Sequence, residues 1–315
     1  MVTMKTVFMG SPDFALPALQ SLMSNKYDIR MVYTQPDKRT GRGQQVMSCA
    51  VKKFAAANGL NVAQPESLRD ANVLAELSNI RPDIIVVAAY GQILPETILR
   101  IPKYKCINIH PSLLPKYRGP SPIAAAILNG DAETGVTIML IEKKVDSGPI
   151  LRQRRTAISD ADDAESLSGK LAALGAGLLI ETLPDWIAGK IEPVEQDDSL
   201  AGYTGMETKE DGRLDLNLPA VQLWRKVRAY HPWPGCYVLW KGGRLKIIKA
   251  IPVNDGVHSE IGQIIALPHV QTARLAVQTG DGLLGLITVQ PEGKREMAAA
   301  EFIAGHRDFI GGFLT

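Results

Sequence analysis

Asp83-Ile-Ile-Val-Val-Ala-Ala-Tyr90 (DIIVVAAY, residues 83–90) is apolar at every position between its ends. Successive side chains of a strand point to opposite faces, so a strand apolar at both parities is covered on both. Interior strands of parallel sheets, with helices on either side, have this character. Before it come a short apolar strand at Thr6–Gly10, a helical pattern at Phe14–Met23 and a strand at Ile29–Tyr33. Helical patterns at Ser48–Asn58 and Val73–Ile80 follow those. After it come a strand at Cys106–His110, a helix at Ile123–Asn129, a strand at Val136–Ile141 and a long helical pattern at Ala164–Ala188. The alternation predicts an α/β fold, a doubly wound, mostly parallel open sheet. In such sheets ligands lie beyond the carboxyl ends of the strands, near the reversal of strand order.

The pattern then changes. Gly189–Asp211 is acidic and broken by Pro193, Gly202 and Gly205, which reads as a linker. Pro219–Tyr230 is helical in pattern, and beyond it the period becomes two. Strands are predicted at Cys236–Trp240, Arg244–Ala250, Ile261–Leu267, Ala273–Gln278 and Leu283–Val289. Five short strands between Gly, Asp and Pro turns predict a small C-terminal β-barrel, OB-like in type. The expected division is 1–189 for the α/β domain, 190–208 for the linker and 209–315 for the barrel.

With 315 residues, 45% apolar and 22% charged, the composition is that of a two-domain globular chain. Runs such as Ile84–Tyr90 fall short of the roughly 20 apolar residues that span a bilayer, so no membrane partner is expected. The start shows no signal-peptide pattern, and the three cysteines, Cys49, Cys106 and Cys236, are widely separated. Both features suit a reducing, cytoplasmic setting and suggest neither disulfides nor a metal site. A monomer is expected. Net charge is only +2, but it is unevenly spread. Leu216–Asn254 contains no acid yet holds Arg225, Lys226, Arg228, Lys241, Arg244, Lys246 and Lys249. Thr97–Gly130 and Lys38–Pro65 are likewise acid-free and basic. Local positive fields of this kind attract a polyanion.

Several chemistries lack their parts. Gly10-Ser-Pro-Asp13 is not a dinucleotide fingerprint, and TGRGQQ (40–45) lacks the ending of a P-loop. No paired-cysteine, zinc-protease or nucleophile-elbow motif occurs. What stands out is CINIH (106–110), where Asn108 and His110 share one strand face at a strand's end, and Asp146 in the turn KVDSGP (144–149). In a parallel sheet that turn would lie on the same edge as His110. An amide donor stabilises an oxyanion growing on a carbonyl. An imidazole donates a further bond or passes a proton, and a nearby carboxylate raises its pKa. By themselves Asn108 and His110 fit a hydrogen-bonded structural role equally well.

Asn108-x-His110 followed by Ser112-Leu-Leu-Pro115, with Asp146 in a Val-Asp-Ser-Gly turn, resembles the folate-dependent formyltransferases. TQPDKRTGRG (34–43), DAETGVTIM (131–139) and YHPWPGCY (230–237) are similar to those members that act on a charged tRNA, so the likeness covers nearly the whole chain. It implies 10-formyltetrahydrofolate as formyl donor, with no metal, and the α-amine of a methionyl-initiator tRNA as acceptor. By the same likeness Asn108 holds the formyl oxygen, and His110 assists as an imidazolium and helps protonate the leaving folate nitrogen. Asp146 orients His110 and takes the amine proton through water. Ser112, Leu113, Leu114 and Pro115, with Gln92, Ile93 and Leu94, would line the folate pocket. Lys38, Arg39 and Arg42 of the 37–45 loop, with Lys209, Arg225, Arg228, Lys246 and Lys249, would contact tRNA, while the tryptophans pack. The sequence departs from the family at Gln44 and Gln45, where lysines are common, and at Pro111, Pro120 and His231. The rival readings are a formyltransferase for a small amine acceptor, a formate-releasing hydrolase and a non-catalytic RNA-binding adaptor.

Overall fold

In the computed structural model, which describes residues 4–40 and 45–315, the chain forms two units. The first comprises residues up to Pro122, Glu133–Ala157 and Ser168–Thr204; the second Ile123–Ala132, Ile158–Leu167 and Gly205–Thr315.

The chain runs through β1 (Lys5–Gly10), α1 (Leu16–Ser24), β2 (Asp28–Tyr33), β3 (Lys38–Thr40) and β4 (Gln45–Met47). It continues with α2 (Ala50–Ala57), β5 (Val62–Ala63), α3 (Ala71–Ile80), β6 (Ile84–Ala88), α4 (Glu96–Leu99) and β7 (Cys106–His110). Then follow α5 (Pro122–Asn129), β8 (Glu133–Leu140), β9 (Ile150–Ala157) and α6 (Ala164–Ile187). Seven strands make one sheet in the order β5-β2-β1-β6-β7-β8-β9, and β3–β4 is a separate hairpin. The strand that decided the fold, β6, is buried at all five positions. Strand order reverses between β1 and β6, where Gly10 lies opposite Ala88. A Cβ at Gly10 would stand 2.7 Å from the carbonyl oxygen of Ala88, so only glycine allows the strands to meet there.

Strands β5, β2, β1, β6 and β7 are parallel, whereas β8 pairs antiparallel with both β7 and β9, so that β8 alone is reversed. The expectation of a parallel edge beside His110 is therefore corrected. His110 pairs with Thr137 and Ile107 with Leu140, so β8 ends beside the start of β7, away from His110. Residues 141–149 must turn back along the sheet for Asp146 to come near. Strand β9 was not anticipated. Its exposure alternates, with Gln153 and Arg155 exposed and Arg152 and Arg154 half-buried. Arg152 pairs with Asp185 at 3.0 Å and Arg154 with Glu181 at 2.5 Å, both on α6, so charge stands where an interior strand has aliphatic residues.

Helix α6 is the one described helix long and apolar enough to cross a membrane by composition. Here it covers the sheet. Leu171, Leu178, Leu179 and Leu183 are fully buried. A side chain at Gly175 would strike Ile109 and Val136, so the missing Cβ brings the helix down onto β7 and β8. Ile107 and Ile109 thus face inward on the α6 side, leaving the opposite face to Asn108 and His110.

The C-terminal segment of the second unit runs through α7 (Ala220–Ala229), β10 (Cys236–Trp240), β11 (Gly243–Val253), β12 (Ile264–Ala266), β13 (Leu275–Gln278), β14 (Leu283–Pro291), β15 (Met297–Ala298) and α8 (Ala299–Gly305). The antiparallel order is β10-β11-β14-β13-β12, with β15 beside β14. The C-terminal residues curl this sheet into an OB-like barrel. Thr315 exchanges both backbone hydrogen bonds with Leu239 of β10, while Gly312 and Leu314 bond Ile264 and Gly262 at the β12 edge. Trp240 packs edge-on against Phe302 and Phe309 at 5.4 and 5.2 Å, under that closure.

Candidate active site

The site is built where β7 ends. Asn108 and His110 project from one face of the strand, and Asp146 is brought to them by the 141–149 loop. The Asp146 Oδ2 oxygen lies 3.6 Å from His110 Nδ1, and Asn108 Nδ2 reaches Asp146 Oδ1 at a long 3.5 Å. Neither contact is tight, so the Asn108 amide keeps its donors for a ligand. Asp146 is anchored instead by the Gly119 N–H, which donates to Oδ2 at 2.9 Å.

His110 is 3% exposed, and its Nε2 lies 2.9 Å from the carbonyl oxygen of Tyr117. A carbonyl only accepts, so Nε2 carries the hydrogen and the neutral ring presents the Nδ1 lone pair toward Asp146. Burial pushes the imidazole below its usual pKa, outweighing the Asp146 charge and the Tyr117 bond, which act upward. The resting ring is neutral at neutral pH, and the imidazolium forms only when Nδ1 takes a proton. Ala89, Tyr117 and Asp146, at φ 45°, 64° and 50°, are non-glycine residues in the left-handed region, and all lie in loops around the site. Strain of this kind, roughly 1–3 kcal/mol per residue, persists where the surroundings over-determine the backbone.

Ser112–Pro115 is pinned by one buried hydroxyl. Thr137 Oγ1 donates to the Ser112 carbonyl at 2.7 Å and accepts from the Leu114 N–H at 3.1 Å. Gln153 from β9 donates to the same hydroxyl and to the Leu114 carbonyl, each at 2.8 Å. A side chain at Gly135 would overlap Leu113 and the Arg154 carbonyl, so glycine keeps room for Leu113. Of the residues after β6, Gln92 spends its amide on the Pro65 carbonyl and the Leu68 N–H, and Leu94 is in the core. Ile93, 70% exposed, is free to meet a ligand.

Among the expected polyanion contacts, Arg42 lies outside the described residues, and Lys38 and Arg39 lie in β3. The base of their hairpin is braced by Asp37, which accepts from Lys52 at 2.6 Å, Gln64 at 2.9 Å and Ser48 at 3.2 Å. Those bonds, Lys52 first, hold its carboxyl below the usual range. In the second unit Lys209, Lys246 and Lys249 are exposed and Arg225 is half-buried. Register shifts on either side of Lys249 keep it outward with Arg244 and Lys246, while Leu245, Ile247 and Ala250 are buried. Arg228 is committed differently: Nε and Nη2 each donate at 2.6 Å to the carbonyls of Asp162 and Ser159. It also lies over Trp224 at 4.4 Å. Trp240 is half-buried against Phe302 and Phe309, whereas Trp233 is half-exposed. Among the described residues no cluster of three or more His, Cys, Asp or Glu side chains is placed to hold a metal ion.

The sequence profile of the formyl transferase family matches residues 4–183, and that of its C-terminal domain matches 207–307. The chain belongs to the formyl transferase family. The methionyl-tRNA formyltransferase of Roseiflexus castenholzii is 48% identical over 307 residues, 97% of each chain. That of Caldanaerobacter subterraneus is 45% identical over 96% of this chain and 97% of its own. The solved structure of HypX from Aquifex aeolicus in complex with tetrahydrofolic acid shares the fold, with a TM-score of 0.67 and 16% identity. The match covers 98% of this formyltransferase and 48% of HypX, so this chain spans about half that protein's length.

Sequence reasoning missed three parts of this formyltransferase's site: the Tyr117 carbonyl, the Gly119 N–H and the amide of Gln196, which bonds the Asp146 loop. Two are backbone groups that no side-chain motif announces. Gln196 sits in an acidic stretch whose composition signals only a linker.

Proposed function

We propose that this protein transfers the formyl group of 10-formyltetrahydrofolate to the α-amine of methionyl-initiator tRNA, with Asn108, His110 and Asp146 as the catalytic residues. Full-length similarity to methionyl-tRNA formyltransferases supports donor and acceptor. The single observation that supports the mechanism is the convergence of a carboxamide held only by one long hydrogen bond, a buried imidazole and a carboxylate at the end of β7.

The amine nitrogen attacks the formyl carbon, and the carbonyl electron pair moves onto oxygen. Asn108 Nδ2 donates to that oxyanion, a contribution of about 10²–10³ in rate for a single donor of this kind. The attacking nitrogen loses a proton to His110 Nδ1, the ring nitrogen left unprotonated by the Tyr117 bond. The Asp146 carboxylate stabilises the imidazolium. As the carbon–nitrogen bond to the folate breaks, the same proton passes to the leaving nitrogen, so no proton is gained or lost overall. Acid–base help of this type contributes about 10²–10⁴. The remainder comes from holding two bound substrates in contact.

Residues 1–189 form the catalytic domain in this reading and 209–315 the tRNA-binding barrel. Exposed Lys209, Lys246 and Lys249 with Arg225 supply phosphate contacts, and Lys38, Arg39 and Arg42 contact the acceptor end. Arg228 brackets residues 159–162 within its own unit. Ile93 with Ser112–Pro115 borders the folate. The buried, unpaired thiols of Cys106 and Cys236 suit a cytoplasmic enzyme. The test is incubation with 10-formyltetrahydrofolate and either charged initiator tRNA, charged elongator tRNA or a small amino-sugar acceptor. Formyl-methionine on the initiator tRNA alone is expected; preferential formylation of the amino sugar would overturn the reading.

A further inference from the structure

We propose that Gln196, outside the catalytic trio, is a positioning residue that holds the Asp146 carboxylate at its working distance from His110. The proposal rests on the reading of Asp146 and His110 as a catalytic pair. The Gln196 amide is used completely. Its Nε2 donates to the carbonyls of Asp146 at 2.9 Å and Gly148 at 2.7 Å, and its Oε1 accepts from Arg118 Nε at 3.0 Å. A flipped amide would set an oxygen against two carbonyls, so the orientation is fixed.

The Asp146 loop needs such a pin. Glu142–Lys144 are exposed, Val145 is 52% exposed, and Asp146 is in the left-handed region, a backbone state that relaxes unless held. Gln196 is itself anchored on both sides. Val194 exchanges backbone bonds with Ile150, and Gly202 and Thr204 bond the backbone of Arg118. The Arg118 side chain is fully buried, with Nη1 on Asp198 at 2.8 Å and the Tyr203 hydroxyl at 3.1 Å. Residues 117–119 then join both halves of the pair: the Tyr117 carbonyl holds His110, the Gly119 N–H holds the Asp146 side chain, and Arg118 holds the glutamine behind it. The chain from His110 through Tyr117, Arg118 and Gln196 back to Asp146 is a closed loop of contacts that fixes the gap between imidazole and carboxylate.

Gln196→Met removes donor and acceptor together. The expected result is a kcat lowered about 10- to 100-fold, the scale of a misplacement near 1 Å, with KM for both substrates within about twofold of the parent. The acidic limb of the kcat–pH profile also moves. Asp146 is the charged side chain facing His110, the other contact being the neutral Tyr117 carbonyl, and the nearest cation beyond Gln196 is Arg118, itself paired with Asp198. Withdrawing the carboxylate lowers the imidazole's proton affinity, so the limb shifts to lower pH. Gln196→Glu keeps an acceptor for Arg118 and removes the donors, and it is expected to lose kcat as Gln196→Met does. Parent-like kcat in Gln196→Glu would overturn the proposal, because Gln196 would then serve only Arg118. So would a fall in kcat in Gln196→Met with the limb unmoved. Asp146→Asn separates the two levels: if it too leaves the limb in place, the catalytic reading of the pair fails; if it moves the limb and Gln196→Met does not, the glutamine alone is wrong.

Discussion

Replacing Thr137 by Val tests whether one hydroxyl holds the Ser112–Pro115 stretch. Thr137 is fully buried, and valine fills nearly the same volume, so no cavity opens. What disappears is the donor to the Ser112 carbonyl and the acceptor for the Leu114 N–H and for Gln153 Nε2, while Gln153 keeps its bond to the Leu114 carbonyl. Each buried polar group left without a partner costs about 1–3 kcal/mol, and the two backbone groups are so left while the exposed Gln153 can turn to water, for a total of roughly 2–6 kcal/mol. Urea unfolding followed by far-ultraviolet circular dichroism reads that loss. Steady-state kinetics reads a second effect, a raised KM for the folate with KM for tRNA unchanged, because the loosened stretch borders the donor only. Thr137→Ser is the control. It keeps the hydroxyl and loses one methyl, so about 1 kcal/mol is expected. Equal destabilisation by Ser and Val, or a loss below about 0.5 kcal/mol in Val, would refute the role of the hydroxyl.

The depressed pKa of His110 has a consequence for stability. The folded imidazole binds its proton less readily than the unfolded one, so stability is full above the unfolded value near 6.5 and is lost as pH falls toward the folded value. The difference in unfolding free energy between the parent and His110→Asn should therefore shift against the parent below about pH 6.5, and a pH-independent difference would contradict the burial argument. In the barrel, Lys246→Ala combined with Lys249→Ala should lower the slope of log Kd for tRNA against log salt by about one for each phosphate contact removed, with folate binding unchanged. An unaltered slope would place the tRNA elsewhere.

The sequence made the interior of the fold legible and hid its margins, for physical reasons. Strand β6 was read correctly because burial on both faces leaves room only for apolar residues. Strand β9 was not, because an edge strand meets solvent and its arginines pair with α6, which erases the apolar pattern. The direction of β8 was equally hidden: its residues satisfy either orientation, and only the pairing of His110 with Thr137 together with that of Ile107 with Leu140 fixes it. In the site, Asn108 and His110 could be seen because their spacing of two fixes their face. The closeness of Asp146 followed from resemblance, since the parallel-edge argument for it was geometrically mistaken. Composition marked residues 190–208 as a linker, yet Val194, Gln196, Gly202 and Thr204 are bonded to the first unit. Loop residues bound through backbone groups leave no periodicity to read.

The central claim is that the imidazole at the end of β7 moves a proton during formyl transfer. It is tested most directly by single-turnover formylation of methionyl-initiator tRNA by His110→Ala under saturating 10-formyltetrahydrofolate, with the Kd of both substrates measured alongside. A rate lowered about 10²- to 10⁴-fold with both Kd values retained is expected. A rate within a few-fold of the parent would remove His110 from the chemistry and the mechanism with it.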